Sequence, residues 1–134
     1  EIRGIDYTLV DWLVINEIEG AAIAGVEAPG DILPALLSRY PQLGVILTLG
    51  KAGCVCAAEG KTWRQATFLD VPAVDTTAAG DTFLGYCVAG MVRGDSVETF
   101  LLAATAASTI AVSRPGAAAS IPASKEVETF LRAR

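Results

Sequence analysis

Residues 75–81, DTTAAGD, stand directly before a helical pattern and carry the strongest local signal in the chain. Small residues at positions 78, 79 and 80 leave the backbone N–H groups uncovered at the start of that helix. Together with the helix dipole, these donors form a site for an anion such as a phosphoryl group. Asp81 lies in the first turn, where its carboxylate either accepts the proton of an incoming hydroxyl or serves only as a favourable helix cap.

Two further polar stretches lie in the first half of the chain. Asn16 and Glu19 follow a buried strand pattern, and they either face Mg²⁺-bound water and phosphate or form a capping box for the next helix. The stretch TLGKAG at residues 48–53 is a glycine-bearing turn after another buried strand. This turn either lies against a nucleotide or only joins two strands. Its spacing matches neither a Walker A loop nor a dinucleotide fingerprint.

Around these stretches the sequence predicts a strand, two helices, a strand, a hairpin and three more helices. Apolar runs predict buried strands at 8–15 and 44–49, and the turn Glu59–Gly60 joins shorter strands at 53–58 and 61–68. Helices are predicted from residue 16, from Pro29, and over 80–93, 96–112 and 124–133, with Ser124 as the last N-cap. Asp95 or Ser96 caps the helix that follows Gly94. This order predicts an α/β fold with a partly parallel sheet.

Composition excludes several classes of protein. The chain has 134 residues, enough for one domain, and 52% of them are hydrophobic, but no apolar run is long enough to cross a bilayer. No signal peptide is visible, so we expect a cytoplasmic protein. The net charge of −5 argues against a nucleic-acid partner, and the absence of His excludes Ser-His-Asp hydrolysis and histidine metal sites. Cys54, Cys56 and Cys87 lack zinc or redox spacing and are expected to be small buried residues.

Four motifs in order resemble the C-terminal half of the ribokinase (PfkB-type carbohydrate kinase) family. They are NxxE at 16–19, TLGxxG at 48–53, DTxAAGDTF at 75–83 and AVxRxGA at 111–117. The resemblance runs from about Asp11 to the end. It implies a three-layer α/β fold in which residues 1–134 form the C-terminal, ATP-binding and catalytic part of one domain. That part has a portion of a mostly parallel sheet, a β-hairpin and flanking helices. The family's N-terminal sugar-binding half and lid would be absent, and a chain that opens at Glu1 without Met agrees with a truncated product.

The resemblance also implies roles for individual residues. Asp81 matches the family's general base, and Ala78, Ala79 and Gly80 match its anion hole, although many members have Gly in place of Ala78. The positions that match the nucleotide and Mg²⁺ sites are Asn16, Glu19, Thr48, Gly50, Gly53 and Thr105, with Glu19 nearest the metal. The positions that match a monovalent-cation site, usually for K⁺, are Asp75, Thr77, Ala111, Arg114, Gly116 and Ser120.

The activity implied by the resemblance is ATP-dependent phosphorylation of a sugar hydroxyl with Mg²⁺ and K⁺. Two alternatives stay open: a nucleotide-binding or interaction module without catalysis, and a nucleoside or phosphosugar kinase of the same family. We expect the isolated chain to be inactive, because the acceptor pocket would lie in the missing half. We also expect its apolar sheet to need partner strands from that half or from another copy, as in a homodimer.

Overall fold

The computed structural model describes residues 4–134. Its contacts divide the chain into two compact units, residues up to 64 and residues 65–134. The sheet belongs to the first unit, and the two longest helices belong to the second. The first unit has the predicted order of one strand, two helices, one strand and a hairpin, and the α/β class is confirmed.

The first unit is built on a four-stranded sheet in the order β1-β2-β3-β4. The strands are β1 (Trp12–Asn16), β2 (Gly44–Thr48), β3 (Cys54–Ala58) and β4 (Lys61–Gln65). β1 and β2 run parallel, so that Asn16 lies opposite Thr48, whereas β2 and β3 run antiparallel. The sheet is therefore mixed, and its parallel pairing in this unit is that of β1 with β2.

Two helices, α1 (Glu17–Ala24) and α2 (Pro29–Arg39), connect β1 to β2. Pro29 begins α2 as predicted, because the first turn of a helix does not need its N–H group, and the helix continues past Pro34. Ile32 and Leu36 of α2 are fully buried and belong to one apolar cluster with residues of β1 and β2. Burial of this cluster holds both helices on the sheet.

The first strand begins later than the sequence predicts. Instead of a strand from residue 8, Tyr7–Leu9 form a 3-10 turn. The carboxylate of Asp6 accepts hydrogen bonds from the Thr8 N–H at 3.1 Å and the Thr8 hydroxyl at 2.6 Å, which closes this turn. Leu9 is 81% exposed, so the apolar run that suggested a longer strand does not enter the core there.

The predicted hairpin is formed by β3 and β4. Glu59 and Gly60 connect them with φ values of 51° and 74°, and two positive φ angles are typical of the two-residue turn that suits a right-twisted hairpin. β4 ends at Gln65 rather than at residue 68.

The second unit contains α3 (Ala79–Arg93), α4 (Val97–Val112) and α5 (Ser124–Arg132). Gly94 ends α3 in the left-handed conformation, at φ 81°, and the Ser96 hydroxyl caps α4 by accepting the Thr99 N–H at 3.2 Å. The prediction of Ser124 as the N-cap of α5 is wrong. Ala123 holds that position, because its N–H group donates to the Glu126 carboxylate at 3.2 Å and draws the helix start back by one residue.

Close packing of α3 against α4 fixes where α3 begins. Gly90 faces Phe100, which is 2% exposed, and at the other end the Ser108 hydroxyl donates to the Ala79 carbonyl at 3.2 Å. Within residues 4–134 no single helix is long and apolar enough to cross a membrane; only α1 and α2 taken together, with a 47° bend between them, reach that length and composition.

Candidate functional site

The segment that enters α3 is shaped by its own side chains. The Asp75 carboxylate accepts the Thr77 N–H at 2.9 Å and the Thr77 hydroxyl at 2.5 Å, which forms a tight local turn. Ala78 is the N-cap of α3 and offers no side-chain acceptor. The first-turn amides of this helix therefore depend on the backbone or on a bound group for their partners.

Of the amides predicted to form the anion hole, that of Ala79 already has an acceptor. The Ala79 N–H donates to the Thr76 carbonyl at 3.2 Å, so it is already used. Within residues 4–134, the N–H groups of Ala78, Gly80 and Asp81 have no backbone acceptor outside the helix. A Cβ atom built on Gly80 would meet nothing within 4 Å, so a ligand can approach this backbone closely.

Asp81 is exposed in the first turn of α3, directly beside these amides. Its carboxylate makes no hydrogen bond or ion pair with any residue of the described part of the chain. A side-chain cap for α3 is therefore not its function in this structure. A free carboxylate beside free amides can accept a proton while the amides stabilise negative charge on a neighbouring phosphoryl group.

A groove of about 520 Å³ runs along α3 from Asp81. This volume falls within the range of small-molecule sites. The Tyr86 hydroxyl borders the groove and donates to the Pro122 carbonyl at 2.6 Å. The residues that line it are Asp81, Thr82, Gly85, Tyr86, Ala89, Arg93, Ile121, Pro122, Ala123 and Ser124.

Asp75 also joins the segment before α3 to the loop after α4. Its second carboxylate oxygen accepts the Gly116 N–H at 3.2 Å. Hydrogen bonds from the Thr77 hydroxyl, the Thr77 amide and the Gly116 amide lower the pKa of Asp75 below its usual value, because each of them favours the charged form. The carboxylate is therefore held in its ionised form between two loops.

The six residues predicted for a monovalent cation lie in neighbouring segments. Asp75 contacts Thr77 and Gly116. Next to Ala111, the Val112 carbonyl accepts the Asp75 N–H at 3.0 Å. Carboxylate and carbonyl oxygens suit a hard cation, and Gly116, at φ 106°, lets its loop turn sharply. The oxygens of Asp75 and of this loop are the donors that such a site would use.

Ser120 is the least available of these six residues. Its carbonyl accepts the Arg114 Nε–H at 2.9 Å, and its hydroxyl donates to the Ala117 carbonyl at 2.7 Å. Ser120 is also fully buried. Any share of Ser120 in a cation site would have to coexist with these bonds or replace them.

The predicted nucleotide residues of the first unit meet at one edge of its sheet. Asn16 and Thr48 are the last residues of the parallel strands β1 and β2 and lie opposite each other. Thr48 leads into a 3-10 turn at Gly50–Ala52, where Gly50 has φ 57° and Gly53 has φ 88°. Carboxyl ends of parallel strands are the usual place for ligands in α/β proteins.

The capping box predicted as an alternative for Asn16 and Glu19 is formed. The Asn16 side chain accepts the Glu19 N–H at 2.9 Å, and the Glu19 carboxylate accepts the Asn16 N–H at 3.0 Å. Within residues 4–134 no three Asp, Glu or Cys side chains are grouped to hold a metal ion. Glu19 therefore offers one carboxylate, which suits an ion that keeps most of its water, as Mg²⁺ does.

Thr105 lies inside the helical unit and is only 5% exposed. Its carbonyl accepts the Thr109 hydroxyl at 2.8 Å, while the hydroxyls of Thr105 and Thr82 have no partner among the described residues.

Sequence reasoning missed Glu126, which pairs with Arg114 at 2.9 Å. A contact between residues so far apart along the chain has no local pattern that could reveal it.

Comparisons with known proteins agree with the motifs. The model of the pfkB family of carbohydrate kinases matches residues 6–124. A ribokinase of Haemophilus influenzae is 35% identical over 128 residues, which cover 92% of this chain and 42% of that protein. An ATP-dependent 6-phosphofructokinase of Thermoanaerobacterium thermosaccharolyticum is 33% identical over 113 residues, which cover 84% of this chain and 34% of that protein. The chain thus spans less than half the length of these relatives.

Solved structures show the same fold. A ribokinase of Thermotoga maritima has a TM-score of 0.86 at 34% identity, covering 97% of this chain and 46% of that one. The Arabidopsis thaliana ribokinase complexed with ribose and ATP has a TM-score of 0.83 at 33% identity, covering 92% and 41%. An E. coli structure that contains ATP and Mg²⁺ has a TM-score of 0.85 at 25% identity, covering 95% and 41%.

Proposed function

The chain belongs to the pfkB family of carbohydrate kinases, and from this premise we propose that it supplies the phosphate-handling part of an ATP-dependent sugar kinase. Residues 1–134 would form the C-terminal portion of one ribokinase-like domain. The observation that carries the proposal is the free Asp81 carboxylate beside the open first-turn amides of α3. Asp31 of α2 is also a first-turn aspartate with no side-chain bond among the described residues, so the family match across residues 75–83 is what singles out Asp81.

In this proposal Asp81 accepts the proton of the acceptor hydroxyl as the hydroxyl oxygen bonds to the γ-phosphorus of ATP. The bond from that phosphorus to the β–γ bridging oxygen breaks, and ADP leaves. The amides of Ala78, Gly80 and Asp81, with Ala79 shaping the turn, stabilise the charge on the transferred phosphoryl group. Placement of the groups matters more than the basicity of Asp81, because the transition state is loose and proton removal is late.

We assign nucleotide binding in the first unit to Asn16, Glu19, Thr48, Gly50 and Gly53. Thr105, which is 5% exposed, keeps its assignment from the family match alone. The position of Asn16 and Thr48 at the carboxyl ends of β1 and β2 supports the assignment in the first unit. Mg²⁺, when bound, neutralises charge on the phosphate oxygens, and Glu19 would orient its water ligands. The loop of residues 111–120, with Asp75 and Thr77, would hold K⁺ near the start of α3.

Two alternatives differ from this proposal in what they require of the acceptor. Similarity to a 6-phosphofructokinase supports a phosphosugar acceptor, and a nucleoside acceptor would use the same phosphate machinery. A binding module without catalysis would hold nucleotide but transfer nothing.

The test is a coupled ADP-release assay of the complete native polypeptide with Mg²⁺ and K⁺ against ribose, fructose 6-phosphate and nucleosides. We expect turnover with a sugar, and none with the 134-residue chain alone. Nucleotide binding without turnover of any acceptor would favour the module and contradict the kinase. Normal turnover by the isolated chain would contradict the proposal that the acceptor pocket lies outside it.

A further inference from the structure

Arg114 lies two residues beyond the end of α4 and joins three segments of the second unit. Its Nε–H donates to the Ser120 carbonyl at 2.9 Å, and its Nη1–H donates to the Glu126 carboxylate at 2.9 Å. The bond to Ser120 closes the loop of residues 114–120 on itself. The bond to Glu126 ties that loop to the first turn of α5.

Glu126 is itself held in place. Its other carboxylate oxygen accepts the Ala123 N–H at 3.2 Å, which caps α5. The Arg114 and Glu126 side chains are 36% and 47% exposed, so the ion pair alone adds little to stability in water. The bond to Ser120 differs, because this residue is fully buried and a charged donor makes a stronger bond to its carbonyl. The consequence of these contacts is a fixed path for the loop.

The opposite side of this loop contacts the candidate site. The Gly116 N–H donates to one oxygen of Asp75 at 3.2 Å, and the other oxygen of Asp75 accepts the Thr77 amide and hydroxyl. Thr77 lies four residues before Asp81. Two sets of hydrogen bonds, joined by the backbone of the loop, therefore connect α5 through Arg114 and Gly116 to the segment that enters α3.

We propose that Arg114 is a positioning residue for the phosphoryl site. Its guanidinium holds the 114–120 loop in the path that brings the Gly116 amide to Asp75. Asp75 then stabilises the local turn at Thr77, and this turn fixes the position of the first amides of α3. Arg114 touches neither Asp81 nor the free amides, so it acts only through the loop. This inference rests on the proposed kinase function for its effect on rate, but the hydrogen bonds on both sides of the loop stand without it.

The first arm of the test measures amide hydrogen exchange in the 134-residue chain. Arg114→Ala should speed exchange at the amides of Gly116 and Thr77 by about tenfold, because both become free to open locally. Arg114→Lys keeps the charge but cannot make both bonds, so it should give an intermediate rate. The matched control is Arg132→Ala, which removes an exposed arginine of α5 that has no hydrogen bond among the described residues. It should leave exchange unchanged.

The second arm measures kcat and KM in the complete polypeptide. We expect Arg114→Ala to lower kcat by about tenfold to a hundredfold with KM for the acceptor nearly unchanged, because small misplacements of reacting groups have effects of that size. If Arg114→Ala exchanges fast but keeps a normal kcat, Arg114 is not a positioning residue. If its amides of Gly116 and Thr77 exchange at the normal rate, Arg114 does not hold the loop against Asp75. A wild-type polypeptide with no kinase activity would refute the proposed function instead, while the exchange arm would still decide the link. If Arg114→Ala does not fold, Arg114→Lys carries both measurements.

Discussion

Substitution of Gly90 tests whether the contact between α3 and α4 sets the start of α3. A Cβ atom at position 90 would lie 2.4 Å from the Phe100 Cβ and 3.4 Å from the Asp95 carboxylate. Gly85, in the same helix, offers a matched control, because a Cβ built there meets nothing within 4 Å. Both changes replace a helical glycine with alanine, so they share the gain in helix propensity and differ in the clash.

The expected difference follows from these distances. Carbon atoms pack best at about 3.5–4.0 Å, so the clash at position 90 is larger than about 1 Å. Phe100 is 2% exposed and cannot move away, so α4 must shift, at about 1–3 kcal/mol. Alanine is favoured over glycine in a helix interior by about 1 kcal/mol. Gly85→Ala should therefore stabilise the chain by up to about 1 kcal/mol, and Gly90→Ala should be about 1–3 kcal/mol less stable than Gly85→Ala.

Urea unfolding followed by far-UV circular dichroism measures this difference. With a slope of about 1–3 kcal/mol per molar urea, the two variants should differ by about 1 M in their midpoints. Equal midpoints for Gly85→Ala and Gly90→Ala would refute the claim that α3 and α4 are in close contact at Gly90. Faster hydrogen exchange at Ala79 in Gly90→Ala would show that the disturbance reaches the start of α3.

Two further predictions concern Asn16 and Cys56. Asn16→Ala should lower stability by about 1 kcal/mol, because the cap of α1 is lost. Asn16→Asp should keep the cap but weaken ATP binding in the complete polypeptide. If calorimetry finds a normal ATP affinity for Asn16→Asp, Asn16 acts as a helix cap alone. Burial raises the pKa of Cys56 to about 12 from 9.0, so the unfolded thiol ionises first and stability should fall as pH rises above about 9. Urea midpoints at pH 7 and pH 10 should show a smaller loss for Cys56→Ala than for wild type, and an equal loss would contradict this assignment.

Elements bounded by glycine, proline or a capping side chain were predictable from the sequence. Pro29 and Gly94 mark helix ends by their own backbone preferences, and Glu59–Gly60 marks the hairpin in the same way. The start of β1 was not predictable, because the bond from Thr8 to Asp6 competes with an apolar run that otherwise reads as a strand.

The candidate site was predictable in position but not in its bonding. Small residues and their spacing locate the start of α3. The hydrogen bond from the Ala79 amide to the Thr76 carbonyl, however, depends on the turn that Asp75 forms. Whether Asp81 caps its helix depends on the direction of its side chain, which spacing does not specify. The bonds of Arg114 to Ser120 and Glu126 join segments that come together only in the folded unit.

The kinase proposal depends most directly on Asp81. Asp31 provides the matched control, since it is also an exposed aspartate in the first turn of a helix. In the complete polypeptide, Asp81→Asn should lower the rate of phosphoryl transfer to a sugar by at least about a hundredfold, because a positioned base contributes at least that much, while Asp31→Asn should keep the wild-type rate. An Asp81→Asn variant that transfers phosphoryl groups at nearly the wild-type rate would contradict the role of Asp81 as the base.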